Sequence, residues 1–344
     1  MITSKSIGIG KVIFWSGHHL IWLTAVSTSI ASLYHYGYIE FSIPWLPISV
    51  IGTAVAFYIG FKNNSAYDRM WEARKVWGAI VNSSRAWGSY SKNYISNQFT
   101  EQDIPSDALQ AIKKRLLYRH IGWLYVLRYQ LLQVVEWEHA NQRGHVGAIA
   151  NKFRRLTGIG LVAEEEKNID WNAFFPEEEF EPLMAYKNTA TQIIDYQGVD
   201  LADLRAKGLI DDFRHVALQK LLYDFYVHQG KLERLKKFPL PRQYANISRY
   251  FIGIFLCLLP FSMIPELMKV GDWGFALAVP ITVLIGWVYI MMEIVGDYSE
   301  NPFQGMANDI PMLALCRTIE NDLREMLGET DLPPGIVSKD GILM

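Results

Sequence analysis

Apolar residues in this chain gather into four runs arranged as two pairs, with a long polar stretch between the pairs. The first pair covers 13–36 and 43–61, and the second covers 247–267 and 273–295. A helix needs roughly 20 apolar residues to cross the ~30 Å hydrocarbon layer of a bilayer, so each run can span as a helix. Only 37–42 and 268–272 separate the members of each pair, which predicts two helical hairpins with short outer turns. In the polar middle, Leu109, Ile112, Leu116, Leu117, Ile121, Leu124, Leu127, Leu131 and Val134 recur at helical spacing. The stretch 121–135 is not a fifth span, because Arg128 interrupts it and Lys113, Lys114, Arg115 and Arg119 precede it. A core helix of a cytosolic body is predicted there instead.

The predicted fold class is therefore all-α, with four transmembrane helices in two hairpins and a helical cytosolic body. The divisions are 1–62 for the first hairpin, 63–246 for the helical cytosolic region, 247–296 for the second hairpin, 297–332 for a C-terminal cytosolic helical segment and 333–344 for a mobile tail without any period. Pro176, Pro182, Gly198, Gly208 and Gly230 punctuate the middle, and the acidic runs Glu164-Glu165-Glu166 and Glu177-Glu178-Glu179 are predicted to be solvated loops.

Composition fits this division. Half of the 344 residues are hydrophobic, yet 20% are charged, too many for a chain wholly in lipid. A net charge of -2 with scattered basic residues lacks the footprint of a nucleic-acid binder. Cys257 and Cys316 form no disulfide framework or zinc spacing and read as free thiols. The start of the chain shows no small-residue cleavage site after its apolar run, so that run is read as a retained span. Lys5, Lys11, Lys62, Arg69, Arg74, Lys75, Arg242 and Arg249 flank one side, whereas the turns offer only Glu40, Lys269 and Asp272. The positive-inside rule then puts both termini and the middle in the cytoplasm. Ser16, His18 and His19 make the first run unusually polar; a buried packing role is expected, with the two adjacent rings pointing apart.

Enzyme signatures are missing. Gly8 and Gly10 lack a preceding strand and a third glycine, and no HExxH, GxSxG or CxxC occurs. Glu138, His139 and His145 are read as a surface cluster rather than a metal site. The apolar run ending at Phe61 instead passes without a proline or turn signal into a polar segment with Asn63, Asn64, Asp68, Arg69, Glu72, Arg74 and Lys75. One continuous helix is predicted to leave the bilayer there, its extension packed by Trp71 and Trp77.

Phe61-Lys62-Asn63-Asn64-Ser65-Ala66-Tyr67-Asp68-Arg69 followed by Trp71-Glu72-Ala73-Arg74-Lys75-Val76-Trp77-Gly78 resembles the signature of the bacterial bestrophin-like family. Glu300-Asn301-Pro302-Phe303, Asn308-Asp309-Ile310-Pro311 and Leu315-Cys316-Arg317-Thr318-Ile319-Glu320 resemble the family's segment after the last span. The resemblance covers nearly the whole chain. It implies a multi-pass protein of the bacterial inner membrane, assembled as a homopentameric ion channel whose second spans line a central pore. The family's membrane neck falls on Thr53, Phe57 and Phe61, and its cytosolic constriction on Phe213, with Asp211 and Asp212 as acidic vestibule charges. Animal relatives carry a calcium clasp near Asn301 and Asp309, but Asp309 is the lone carboxylate within that run here, which argues against calcium as a cofactor.

Small monovalent ions are the expected cargo, and the lipid bilayer the expected surroundings. Ring edges of Phe57 and Phe61 would favour chloride-like anions, whereas ring faces would favour cations. Acidic residues beside Phe213 push toward cations, although water screens them over ~8 Å. The expectation is an anion channel; the alternatives are a cation channel of the same family and a transporter. A transporter is expected to show broken helices and intramembrane ionisable groups, and 43–61 contains no charge.

Overall fold

The computed structural model describes residues 1–100, 104–271 and 273–344. The charge expected from Asp272, and the side chains of His145 and Glu177, lie outside the described residues. Among those residues the chain is all-helical; only isolated bridges, Ile2 with Ile342 and Lys339 with Ile342, interrupt the pattern. It divides into two compact units, a body of 1–3, 70–238 and 302–344 and an apolar-helix unit of 4–69 and 239–301.

The apolar-helix unit holds α1 (Ile9–His35), the first part of α2 (Trp45–Tyr94), α10 (Arg242–Met268) and α11 (Gly274–Asp297). Helices α1, α10 and α11 pack together, and their Leu23, Phe255, Leu259, Val283 and Ile290 form one core with Ile48, Val55 and Ile59 of α2. Pro260, Pro265 and Pro280 sit inside α10 and α11 without ending either helix. Ile21, Leu46, Tyr250 and Leu284 on the outside are 56 to 74% exposed, an apolar surface that lipid rather than water suits.

Among the described residues, three helical stretches are long and apolar enough to cross a membrane: Trp45–Tyr94, Asp212–Met268 and Gly274–Asp297. The 27-residue α1 has the length but not the apolarity, since Ser16, His18, His19, Ser27, Ser29 and Ser32 break its hydrophobic run. Ser16 is buried and accepts a hydrogen bond from Trp287 Nε1 at 2.9 Å, the packing role expected. The rings of His18 and His19 do not point apart as expected; their centroids are 3.9 Å from each other. His19 accepts from Trp22 Nε1 at 3.1 Å, which turns its ring along the helix.

The body contains the remainder of α2, then α3 (Ser106–Leu132), α4 (His145–Thr157), α5 (Ala163–Lys167), α6 (Trp171–Phe174), α7 (Glu177–Met184), α8 (Thr189–Ala206), α9 (Asp212–Lys237) and α12 (Met312–Met326). As predicted, the middle helix is core: α3 packs on α6, α8, α9 and α12, and every residue from 116 to 128 is buried. Val134 falls beyond its end and is 41% exposed. Burying Arg119 and Arg128 requires partners. Arg119 pairs with Glu179 at 2.7 Å and with Asp200, and Arg128 pairs with Glu166 at 2.5 Å. The acidic runs are thus parts of short helices α5 and α7 whose carboxylates neutralise buried arginines, rather than solvated loops. His120 lies in the centre of this core, its ring 4.5 Å from Phe225 and 5.1 Å from Trp123, bonded to Ser84 Oγ at 2.9 Å.

Several other expectations change. Trp77 is buried, but Trp71 is half exposed, because it lies on the opposite side of α2 from Ala73 and Ala66. Glu138 and His139 are buried rather than on the surface: Glu138 pairs with Lys236, and His139 Nδ1 meets Gln304 Oε1 at 3.3 Å. The tail 333–344 is docked, not free. Ile342 and Met344 are buried, Leu343 N donates to Met1 O at 2.8 Å, and Arg317 and Asn321 hold the carbonyls of Pro334 and Pro333. Lacking a period, it is held by backbone pairing that no hydrophobic pattern reports.

Candidate functional site

Helix α2 runs unbroken for 50 residues, about 75 Å at 1.5 Å per residue, as the absence of a turn signal after Phe61 predicted. Its faces differ sharply. Ile48, Gly52, Val55, Ile59, Lys62 and Ala66 are buried, and a Cβ on Gly52 would come within 2.9 Å of the Phe255 ring. Thr53, Phe57 and Phe61 point the other way. Phe57 is 67% exposed and Phe61 66%, unusual values for phenylalanine in a folded unit. The Thr53 hydroxyl donates to Ser49 O at 2.8 Å, which settles its proton in the helix and leaves the oxygen able to act only as an acceptor.

Directly after Phe61 the buried face turns ionic. Lys62 Nζ, fully buried, donates to Glu293 Oε1 at 2.5 Å, to Ala245 O at 3.3 Å and to Asp297 Oδ1 at 3.4 Å. Ser248 Oγ donates to the same Glu293 oxygen at 2.8 Å, and Arg249 holds Asp297 at 2.7 Å. Asn63 donates to Met292 O at 3.0 Å, over Gly296, where any Cβ would strike the Asn63 side chain at 1.9 Å. Sequence reasoning treated Lys62 as a flanking charge and missed this lock. The legible signal was Glu293, a carboxylate inside an otherwise apolar run.

Phe213 occupies the first turn of α9 and is 88% exposed. Asp211 caps that helix by accepting from Arg214 N at 2.9 Å, and the Arg214 guanidinium reaches Tyr94 O, Gln98 Oε1 and the face of Phe99. Asp212 pairs with Arg205, whose hydrogen bond and charge hold its carboxyl below the usual range. Expected as bare acidic charges beside Phe213, the two aspartates are each matched by an arginine.

Asn301 and Asp309 belong to different units. Asn301 Nδ2 bonds Glu300 at 3.0 Å. Asp309 is buried and accepts from the backbone N–H groups of Phe303 at 2.9 Å, Gly305 at 2.7 Å and Ile310 at 2.8 Å. Burial pushes its pKa up, and the three donors oppose that rise. The knot holds Phe303 and Gly305 in left-handed backbone, φ 71° and 76°, with Arg154 Nε on Gln304 O at 2.7 Å. Among the described residues no group of three His, Cys, Asp or Glu side chains is set to hold a metal ion.

Comparison with known proteins gives a consistent kinship. The voltage-dependent anion channel-forming protein YneE of Escherichia coli O157:H7 is 24% identical over 338 residues, 94% of this chain and 95% of that one. Voltage-dependent anion channel-forming protein mll4386 of Mesorhizobium japonicum is 27% identical over 292 residues, 84% of this chain and 76% of its own. A crystal structure of a bacterial Bestrophin homolog from Klebsiella pneumoniae superposes with a TM-score of 0.71 at 22% identity, covering 93% of this chain and 100% of that one, so the fold is shared. The family model described as Bacterial/Fungal Bestrophin protein matches residues 6–325. By that match across the length of the chain, this protein belongs to the bacterial/fungal bestrophin family.

Proposed function

We propose that this chain forms a passive channel for small inorganic anions, assembled as a ring of five subunits with α2 of each around the axis. The observation that carries the reading is the uncharged, uncovered stripe of Thr53, Phe57 and Phe61 on a helix whose other face is packed. Repeated around an axis, that stripe makes a narrow apolar neck, and the positive ring edges of phenylalanine suit a partly dehydrated anion. The kinship with voltage-dependent anion channel-forming proteins supports the same choice. So does the pairing of Asp211 and Asp212 with arginines beside Phe213, the proposed second constriction.

In this reading the chain crosses the bacterial inner membrane four times, α1 included, with both termini in the cytoplasm as the basic flanks favour. Calcium is not needed, because three backbone donors already engage the Asp309 carboxylate. Purified protein in liposomes under a potassium chloride gradient tests the proposal. A reversal potential near that of chloride, unchanged by a calcium chelator, is expected. Transport strictly coupled to a second solute would overturn it, and a potential near that of potassium would replace the anion by a cation.

A further inference from the structure

The exposed face of α2 does not end at Phe61. At 100° per residue, positions 50, 53, 57, 61, 64 and 68 fall in one sector roughly 80° wide. Val50, Thr53, Phe57, Phe61, Asn64 and Asp68 are all exposed, while Val55, Ile59, Lys62 and Ala66 on the other side are buried. Asp68 is the first ionisable side chain on this sector. Its charged neighbours are turned away and engaged, Lys62 with Glu293 and Arg69 with the carbonyl of Glu300 at 2.8 Å. The Asp68 carboxylate has no ion-pair partner among the described residues, in contrast to Asp211, Asp212 and Glu72, each matched by a cation.

We infer that Asp68 is a specificity-determining residue that faces the ion path about 10 Å beyond Phe61, seven residues along the same helix. This rests on the pore reading of the preceding section. One carboxylate per subunit, set around the axis, concentrates cations and holds back anions at the end of the neck. The phenylalanine neck and the Asp68 ring therefore act in opposite senses, and Asp68 sets how far anions outweigh cations in the current.

Asp68→Glu, Asp68→Asn and Asp68→Lys in planar bilayers give the test, with assembly checked by mass in mild detergent. The cation-to-anion permeability ratio is expected to hold in Asp68→Glu, to fall about threefold in Asp68→Asn and to fall further in Asp68→Lys. The differences shrink between 0.1 M and 1 M salt, as the screening length drops from about 10 Å to about 3 Å. An assembled, conducting Asp68→Lys with the wild-type ratio at low salt overturns the inference while leaving the pore standing. Loss of the pore reading shows separately, as a wild-type protein without passive current. Should Asp68→Lys fail to assemble, Asp68→Cys in a Cys257→Ser background carries the test on protein already in the bilayer. A cationic thiol reagent is then expected to raise the anion share and an anionic one to lower it; currents that neither reagent changes overturn the inference.

Discussion

His120 is held in its neutral form. Enclosed by Trp87, Trp123 and Phe225 and bonded to Ser84, its imidazole is pushed down from 6.5 to about 3 by burial. The folded state keeps it neutral while the unfolded chain protonates near pH 6.5, so this group costs nothing above pH 6.5. Between pH 6.5 and about 3 it destabilises the body by about 1.4 kcal/mol per pH unit. Urea or thermal unfolding followed from pH 7 to pH 5 is expected to show that slope, and His120→Gln, which keeps a partner for Ser84, is expected to flatten it. Phe57 and Phe61 make the opposite case, side chains that the single subunit leaves open. Truncating a buried phenylalanine costs about 3 to 5 kcal/mol, but these two have little packing to lose within the subunit. Phe57→Ala with Phe61→Ala is therefore expected to raise conductance in an oligomer of unchanged mass, and unchanged conductance would take both residues off the ion path. The stripe is legible in the sequence, because residues four apart share one face of a helix. The partners of Asp212 and Glu138 were not legible, since Arg205 and Lys236 come from other helices, whereas Arg214 stands only three residues past Asp211 in the same turn.

Helix α2 shows how much of an element a sequence can declare. Its continuity past Phe61 followed from the absence of proline and turn residues, and its buried and open faces from a period near 3.6. What pins it lay beyond that reach, because Lys62 and Glu293 are 231 residues apart. Removing one member of a buried pair strands the other charge, at about 3 to 5 kcal/mol, whereas exchanging both for apolar residues is often neutral. Lys62→Met is thus expected to lower the unfolding temperature of the detergent-purified protein sharply, with Lys62→Met plus Glu293→Leu recovering most of the loss. A double variant no better than the single one would show that the ion pair is not what fixes α2 to α11. Helices α10 and α11 teach a complementary lesson: their internal prolines did not hide them, because apolar length outweighs a lost backbone bond when neighbouring helices cover the gap.

At the scale of the whole molecule, the helical character of the apolar runs and of the middle was legible, and the docked tail was not. Beside the buried Ile342 and Met344, its contacts with Met1, Ala314, Arg317, Asn321 and Glu165 run through backbone and charge, which leave no periodic trace. An exposed apolar stripe without charge has no use in a lone subunit, so mass measurement in mild detergent is expected to give a closed ring of five, and a purely monomeric species would sink the pore proposal. The discontinuous body has a consequence for biosynthesis. Leu313, Cys316, Ile319 and Leu323 of α12 complete the core around α3, yet they are translated only after α10 and α11 have left the ribosome. At about 5–20 residues per second, the nascent α3 spends seconds with a naked apolar flank while the second pair of helices is being threaded into lipid. Chain order thus leaves the apolar flank of the middle segment uncovered until α12 arrives.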